Sequence, residues 1–179
     1  MIVDNLSALL LNLGLLGYVV GAVAGLVFFR AEKLANLFAF GCASMAAVCG
    51  VLSCVIALAT GAAAANQSFE LAPSLFPYVR FTVRLDPLGA FFGLVVSLVG
   101  LAVSVYSLGY ARSFYGRKNV GVLGAFFNVL LLATTLVFLS DNAFFFLIAW
   151  EIMALSAYCL VSFEHEQDET RHAGVLFFA

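Results

Sequence analysis

The sequence predicts an all-α polytopic membrane protein, a transmembrane helical bundle with five complete spans and the start of a sixth. Of its 179 residues, 64% are hydrophobic and only 10% are charged, and the mean hydropathy is +1.10. A spanning helix needs about 20 apolar residues to cross about 30 Å of hydrocarbon. Five stretches satisfy this requirement, at residues 6–29, 34–59, 87–111, 120–139 and 142–163, and a sixth begins at residue 173. Helices are expected because backbone groups in lipid must be hydrogen-bonded within their own segment.

The first two spans and the long loop after them form residues 1–86, and the remaining spans form residues 87–179. Only Asp4 precedes the first apolar stretch, so we interpret this stretch as a retained span, with an uncleaved signal anchor as the alternative. Small residues recur every four positions in the first and third spans. Because this spacing lets helix backbones approach closely in lipid, we interpret both stripes as packing seams. They are Gly17, Gly21 and Gly25, and Gly89, Gly93 and Ser97.

The loop from residue 60 to residue 86 is the only long connection between complete spans. Its alternation of apolar and polar residues at 81–85 favours a short strand or hairpin, although an amphipathic segment at the lipid surface fits nearly as well. Asp86 followed by Pro87 predicts the start of the third helix, with Asp86 as its cap.

The Lys and Arg residues are distributed unevenly between the two sides of the bundle. Six of the eight fall in the connections after the first, third and fifth spans, and only Arg80 and Arg84 fall on the other side. Under the positive-inside rule this asymmetry predicts an N-terminus outside and a cytoplasmic loop after the fifth span. The net charge of -2 and the absence of a basic cluster exclude nucleic acid as a partner.

The four cysteines fall inside apolar segments, where each is expected to act as a small hydrophobe. Their spacing matches no zinc site, and Cys42 and Cys49 lie two helical turns apart, too far for a disulfide. We therefore assign no metal ligand and no cofactor-binding residue to this chain.

Glu151 places a carboxyl group near the centre of the fifth predicted span. It follows the capping cluster at 140–142 by about 14 Å at 1.5 Å per residue. The residues three and four positions away are apolar, and no Lys, Arg or His lies inside another predicted span. A carboxylate there costs several kcal/mol unless it is protonated, paired or wetted.

Two interpretations of Glu151 stay open. A carboxyl group that is neutral at rest can release and take up a proton when water or a positive charge approaches, which makes it a proton relay. A permanently protonated Glu151 would instead hydrogen-bond between helices.

The charged segment after the fifth span, residues 163–172, is interpreted as a solvated loop. His165 and Glu166 are followed by Glu169, whereas a zinc hydrolase would need a second His at that place. His165 and His172 are seven positions apart and share a face if the segment is helical. They are candidate residues of a pH-sensitive cytoplasmic mouth.

Three motifs resemble those of the antiporter-like membrane subunits shared by respiratory complex I, multisubunit cation/proton antiporters and membrane-bound hydrogenases. They are LDPLGAFF at 85–92, VYSLGY at 105–110 and WEIMALSAY at 150–158. The segments FEHE at 163–166 and ETRHAG at 169–174 are most similar to the B subunit of hydrogenase-4 and to the formate hydrogenlyase membrane subunit. The resemblance covers essentially the whole chain, but only the N-terminal part of the longer family subunit.

The resemblance implies that Glu151 corresponds to the essential glutamate of the family's fifth helix, which takes part in proton translocation by interacting with a lysine on a later, broken helix. Residues 87–179 would then begin the proton-channel unit. The given sequence stops soon after the sixth span begins, so we expect a truncated subunit or split reading frame; a short accessory protein is the alternative.

These observations predict a proton-translocating subunit, without catalytic residues of its own, of a hydrogenase or complex I type oxidoreductase in a bacterial or archaeal cell membrane. No metal, quinone or nucleotide motif is present, so iron-sulfur clusters and a nickel-iron centre are expected in partner subunits. The predicted partners are the lipid bilayer, other membrane subunits, hydrogenase or peripheral-arm subunits, and protons. The alternatives are a sodium/proton antiporter subunit without a redox partner and a structural membrane scaffold.

Overall fold

A computed structural model describes residues 2–60, 68–72 and 81–164. Five α-helices dominate this part of the chain and are long and apolar enough to cross a membrane, which confirms the predicted fold class. They are α1 (Ile2–Val27), α2 (Glu32–Thr60), α3 (Pro87–Tyr110), α4 (Val120–Leu139) and α5 (Ala143–Val161). Short 3-10 helices follow α3 at Ala111–Phe114 and α5 at Ser162–Glu164. The predicted sixth span lies outside the described residues.

A two-stranded antiparallel hairpin lies between α2 and α3. Strand β1 (Ser68–Ala72) pairs with β2 (Phe81–Arg84), with Ser68 opposite Arg84 and an irregularity between Glu70 and Ala72. This confirms the strand interpretation of residues 81–84 over the amphipathic alternative. The hairpin is tied to the α4–α5 connection, because Val83 bridges to Ser140.

The start of α3 is fixed as the sequence predicts. Asp86 has extended backbone angles, and its side chain accepts a hydrogen bond of 2.6 Å from the Gly89 amide, with Pro87 in the first helical position. An unpaired donor at the helix start is thereby satisfied. This cap marks where the chain leaves the hairpin and enters the bundle.

Small residues let α1 pack against α2 and α4 at once, which confirms the predicted seam. Gly17 lies against Ala46 of α2, and Gly21 lies against the Asn128 side chain of α4. A Cβ atom added to Gly25 would lie 2.6 Å from the backbone oxygen of Gly121. The α1 and α4 backbones therefore touch directly.

The predicted seam on α3 is also confirmed as a packing surface. A Cβ atom on Gly93 would lie 3.1 Å from the Cys54 sulfur of α2, and the Ser97 side chain is buried against Gly50. Cys54 is itself buried and unpaired, as expected for a small hydrophobe.

The α1–α2 and α3–α4 connections meet at one end of the bundle, here named the cationic end. The Glu32 carboxylate accepts hydrogen bonds of 2.9 Å from the Gly116 amide, and Gly116 has a φ of 72°, a conformation that favours glycine. Five basic residues lie in these two connections or in the first turn of α2: Arg30, Lys33, Arg112, Arg117 and Lys118. The opposite end, with β1 and β2, is the hairpin end.

The buried apolar residues form three clusters along the bundle. One lies at the hairpin end and includes Val83, Leu139 and Phe145; a second surrounds Tyr18; the third lies at the cationic end around Phe40. The hairpin and the helix connections are therefore parts of the packed structure and fix where α4 ends and α5 begins.

We expect Gly25→Ala to lower the free energy of unfolding, measured in mixed detergent micelles, by about 1–3 kcal/mol, because its methyl group would collide with the α4 backbone. Gly41→Ala is the matched control: an added Cβ at Gly41 of α2 meets nothing within 4 Å. Removing a helical glycine there is expected to be neutral or to stabilise by up to about 1 kcal/mol. Equal losses in both variants would show that direct α1–α4 backbone contact is not what stabilises the bundle.

Candidate functional site

The connection between α4 and α5 is held by backbone and side-chain contacts at the hairpin end. The Asn142 side chain caps α5 by accepting a 2.8 Å hydrogen bond from the Phe144 amide. The Asp141 amide donates to the Thr82 oxygen over 3.1 Å, and the Asp141 carboxylate forms an ion pair with Arg84. The capping cluster predicted at 140–142 is confirmed, and the position of α5 is fixed from its first residue.

Of the helices, α5 packs extensively on α4 alone. The buried residues of α5 are Phe145, Ala149 and Ser156, which recur on one face. At the cationic end, the Lys118 ammonium donates a 3.1 Å hydrogen bond to the Phe163 carbonyl just beyond α5. Helix α5 is thus attached at both ends and along one side, and no other helix of residues 2–60 and 81–164 covers its opposite side extensively; this side is called the open side.

Glu151 lies on the open side of α5, at the middle of the span. It is one residue before the helix midpoint, Ile152, so the carboxyl group lies near the centre of the apolar thickness. At 100° per residue, Glu151 is about 200° around the helix from the buried Ala149, so it faces away from α4. The mid-span placement that the sequence predicts is therefore reproduced in the structure.

The surroundings of Glu151 are apolar and exposed. Leu147 and Leu155, one turn away on either side, are 56% and 50% exposed, and Glu151 is exposed with them. Within the described residues, its carboxylate takes part in no hydrogen bond and no ion pair. The five helices therefore present a single acidic group in the middle of an apolar stripe that would face lipid or another helix.

A buried amide at mid-span was not predicted, because only charged residues within the spans were considered. Asn128 lies in the middle of α4, is completely buried, and donates hydrogen bonds of 3.0 Å and 2.8 Å to the Ala39 and Gly124 oxygens. Its side-chain oxygen has no partner within the described part of the chain. The signal that could have revealed it is an isolated Asn within an apolar span, since such residues join helices in membranes.

The other predicted site residues, His165 and His172, lie outside the described residues. The ion pair between Arg84 and Asp141 was not predicted from the sequence, because 57 positions separate the two residues.

Comparison with known proteins connects this architecture to a family. Residues 78–114, which include β2 and α3, match the family described as "NADH-Ubiquinone oxidoreductase (complex I), chain 5 N-terminus". Hydrogenase-4 component B of Escherichia coli is 38% identical over 104 residues, which are 58% of this chain. The chain is thus similar to this family and to this relative over part of its length. A putative antiporter subunit, mnhA2 of Staphylococcus aureus, is 26% identical over 56% of the chain.

The similarity covers a small part of each of these longer relatives. The aligned segment is 15% of hydrogenase-4 component B and 12% of the mnhA2 protein. An uncharacterized protein of Mycobacterium tuberculosis is 33% identical over 104 residues, which are 16% of its length. The chain therefore spans only a small part of the length of these relatives.

A double-mutant cycle tests how strongly the Arg84–Asp141 ion pair holds the α4–α5 connection. We expect Arg84→Gln and Asp141→Asn each to lower the free energy of unfolding in detergent micelles, with a coupling of at most about 1 kcal/mol, because the side chains are 48% and 23% exposed. The hydrogen bond from the Asp141 amide to Thr82 does not use the carboxylate and should survive Asp141→Asn. A coupling of several kcal/mol would mean that the connection depends on the ion pair.

Proposed function

We propose that this chain is part of a proton-translocating subunit of a membrane-bound hydrogenase or complex I type oxidoreductase, and that Glu151 carries a proton within it. The observation that carries the proposal is the mid-span carboxyl group on the open face of α5, in a chain that is similar to the complex I family and to hydrogenase-4 component B over part of its length. Glu151 has no described partner, so its protonation state depends on what approaches that face.

The energetics of the site explain how it would respond. An ionised carboxylate in hydrocarbon costs several kcal/mol, whereas the protonated form costs much less. When water, with or without a cationic group, reaches the open face, the ionised form of Glu151 becomes favoured. The carboxyl group then releases its proton to that water. When the cation withdraws, a proton is taken up again. The resemblance to the antiporter-like subunits implies that this cation is a lysine on a later, broken helix.

Electron transfer in this proposal takes place in other subunits. Iron-sulfur clusters and a nickel-iron centre in the partner subunits would carry the redox reaction, and this chain would handle protons only. The similarity to hydrogenase-4 component B supports a hydrogenase assembly, and the match to the complex I family supports the wider class.

We also propose an orientation, with the N-terminus outside and the cationic end in the cytoplasm of a bacterial or archaeal cell. The contact between Glu32 and Gly116 supports it, because it joins two Lys- and Arg-bearing connections at the same end of the bundle. In this orientation the segment with His165 and His172 begins at the cytoplasmic mouth.

A second candidate function is a sodium/proton antiporter subunit without a redox partner. The similarity to the putative antiporter subunit mnhA2 favours it. Glu151 would have the same role, with a sodium gradient as the energy source. A purely structural bundle, in which Glu151 only hydrogen-bonds between helices, is the third possibility.

The test compares Glu151→Gln with Glu151→Asp in the whole complex, in inverted membrane vesicles with a pH-sensitive dye. We expect Glu151→Gln to lower proton movement per assembled complex at least about tenfold, because the amide cannot release a proton at neutral pH. Glu151→Asp keeps the titratable group and should retain part of the flux.

Three readouts separate the candidates. Proton movement driven by the electron donor of the complex supports the redox-coupled function, and proton movement that needs only a sodium gradient supports the antiporter. Complex abundance, measured on native gels, reports the structural role. Unchanged flux per assembled complex in Glu151→Gln, with reduced assembly, would reject proton transfer by Glu151.

A further inference from the structure

A pocket of about 350 Å3 opens at the cationic end between α2 and α3, far from Glu151. It is lined by Lys33, Asn36, Leu37, Leu108, Arg112 and Tyr115. The pocket therefore combines two basic groups, an amide, a phenol and two leucines at the place where the helices leave the apolar region.

The two basic side chains of the pocket are available to bind an anion. Lys33 and Arg112 are exposed, and neither forms an ion pair within the described residues. The carboxylate of the neighbouring Glu32 accepts hydrogen bonds from the Gly116 amide. An ammonium and a guanidinium on facing helices are the groups with which proteins bind phosphate.

Asn36 positions the Tyr115 hydroxyl at the same pocket. It is only 3% exposed, and its amide nitrogen donates to the Leu108 oxygen over 3.1 Å and to the Tyr115 hydroxyl over 2.7 Å. The Tyr115 hydroxyl accepts from Asn36, so its own hydrogen can be donated to a ligand.

An apolar groove adjoins this pocket at Leu37. Leu37 lines both the pocket and a groove of about 610 Å3 between α1 and α2, whose lining also includes Phe38, Gly41 and Met45. The groove is almost entirely apolar, and an added Cβ at Gly41 meets nothing within 4 Å, so there is free space beside the helix. A ligand held here would have a charged end in the pocket and a hydrocarbon part in the groove.

We propose that this surface binds an anionic phospholipid, such as phosphatidylglycerol. Lys33 and Arg112 hold the phosphate, and the Tyr115 hydroxyl donates to it. An acyl chain lies along the groove at Gly41. The groove selects a lipid over free phosphate, and the two cations select an anionic over a zwitterionic lipid. The proposal is independent of the role of Glu151.

The experiment is native mass spectrometry of the complex, purified in mild detergent and titrated with phosphatidylglycerol, phosphatidylcholine or inorganic phosphate. We expect Lys33→Gln/Arg112→Gln to weaken phosphatidylglycerol binding at least about tenfold, because two charge-assisted contacts are lost. Arg30→Gln/Arg117→Gln is the matched control, since it removes two basic residues of the same end that do not line the pocket. This control should bind as the unmodified protein does.

Gly41→Leu tests the groove separately. The leucine would occupy the free space where the acyl chain is proposed to lie, and it should weaken phosphatidylglycerol binding while leaving Lys33 and Arg112 in place. Equal binding of phosphatidylcholine, or unchanged phosphatidylglycerol binding in Lys33→Gln/Arg112→Gln, would overturn the lipid site. Inorganic phosphate that binds as tightly as the lipid would replace it with a simple anion site. Cross-linking of Lys33 to an acidic residue of a neighbouring subunit would assign the pocket to a protein partner.

Discussion

The direct contact between the α1 and α4 backbones is the constraint on which the rest of the bundle depends. In lipid there is little hydrophobic force between helices, so close van der Waals contact has to supply the association. The glycines of α1 provide it, because Gly21 admits the Asn128 side chain and Gly25 lies against the α4 backbone. With α1 packed between α2 and α4, and α3 packed mainly on α2, the remaining helix α5 has, among the described helices, α4 as its one extensive neighbour.

This arrangement decides what surrounds Glu151. Helix α5 uses the face of Ala149 for α4, so the residue two positions later points outward. The free energy needed to keep an ionised carboxylate in hydrocarbon is a large fraction of the 5–15 kcal/mol by which proteins are typically stable. In the proposed function this cost makes the site responsive: a carboxyl group with a fixed counter-ion would be ionised permanently, whereas Glu151 changes state with the group that reaches its face.

The sequence predicted what depends on local pattern. Hydropathy identified the five helices, residue types at the boundary identified the Asp86 and Asn142 caps, and four-residue spacing identified both packing seams. It did not predict contacts between distant segments. Asn128 donates a hydrogen bond to the Ala39 oxygen, 89 positions away, and packing on α4 determines the rotation of α5 about its axis. Neither this hydrogen bond nor this rotation can be predicted from the residues of a single helix. The partner that Glu151 requires is likewise not determined by the sequence of α5.

The charge asymmetry of the chain and the structure of its cationic end have different physical origins. The positive-inside rule concerns the number of basic residues on each side during insertion, and any exposed positions in the connections would satisfy it. It does not require that Lys33 and Arg112 face one pocket, or that an apolar groove adjoin that pocket at Leu37. The two basic groups give the pocket positive charge without an ion-pair partner in the described part of the chain, and the groove gives the same surface an apolar extension. An anionic headgroup with an acyl chain matches both features at once, whereas a chloride ion matches only the charge and a zwitterionic lipid brings no net charge.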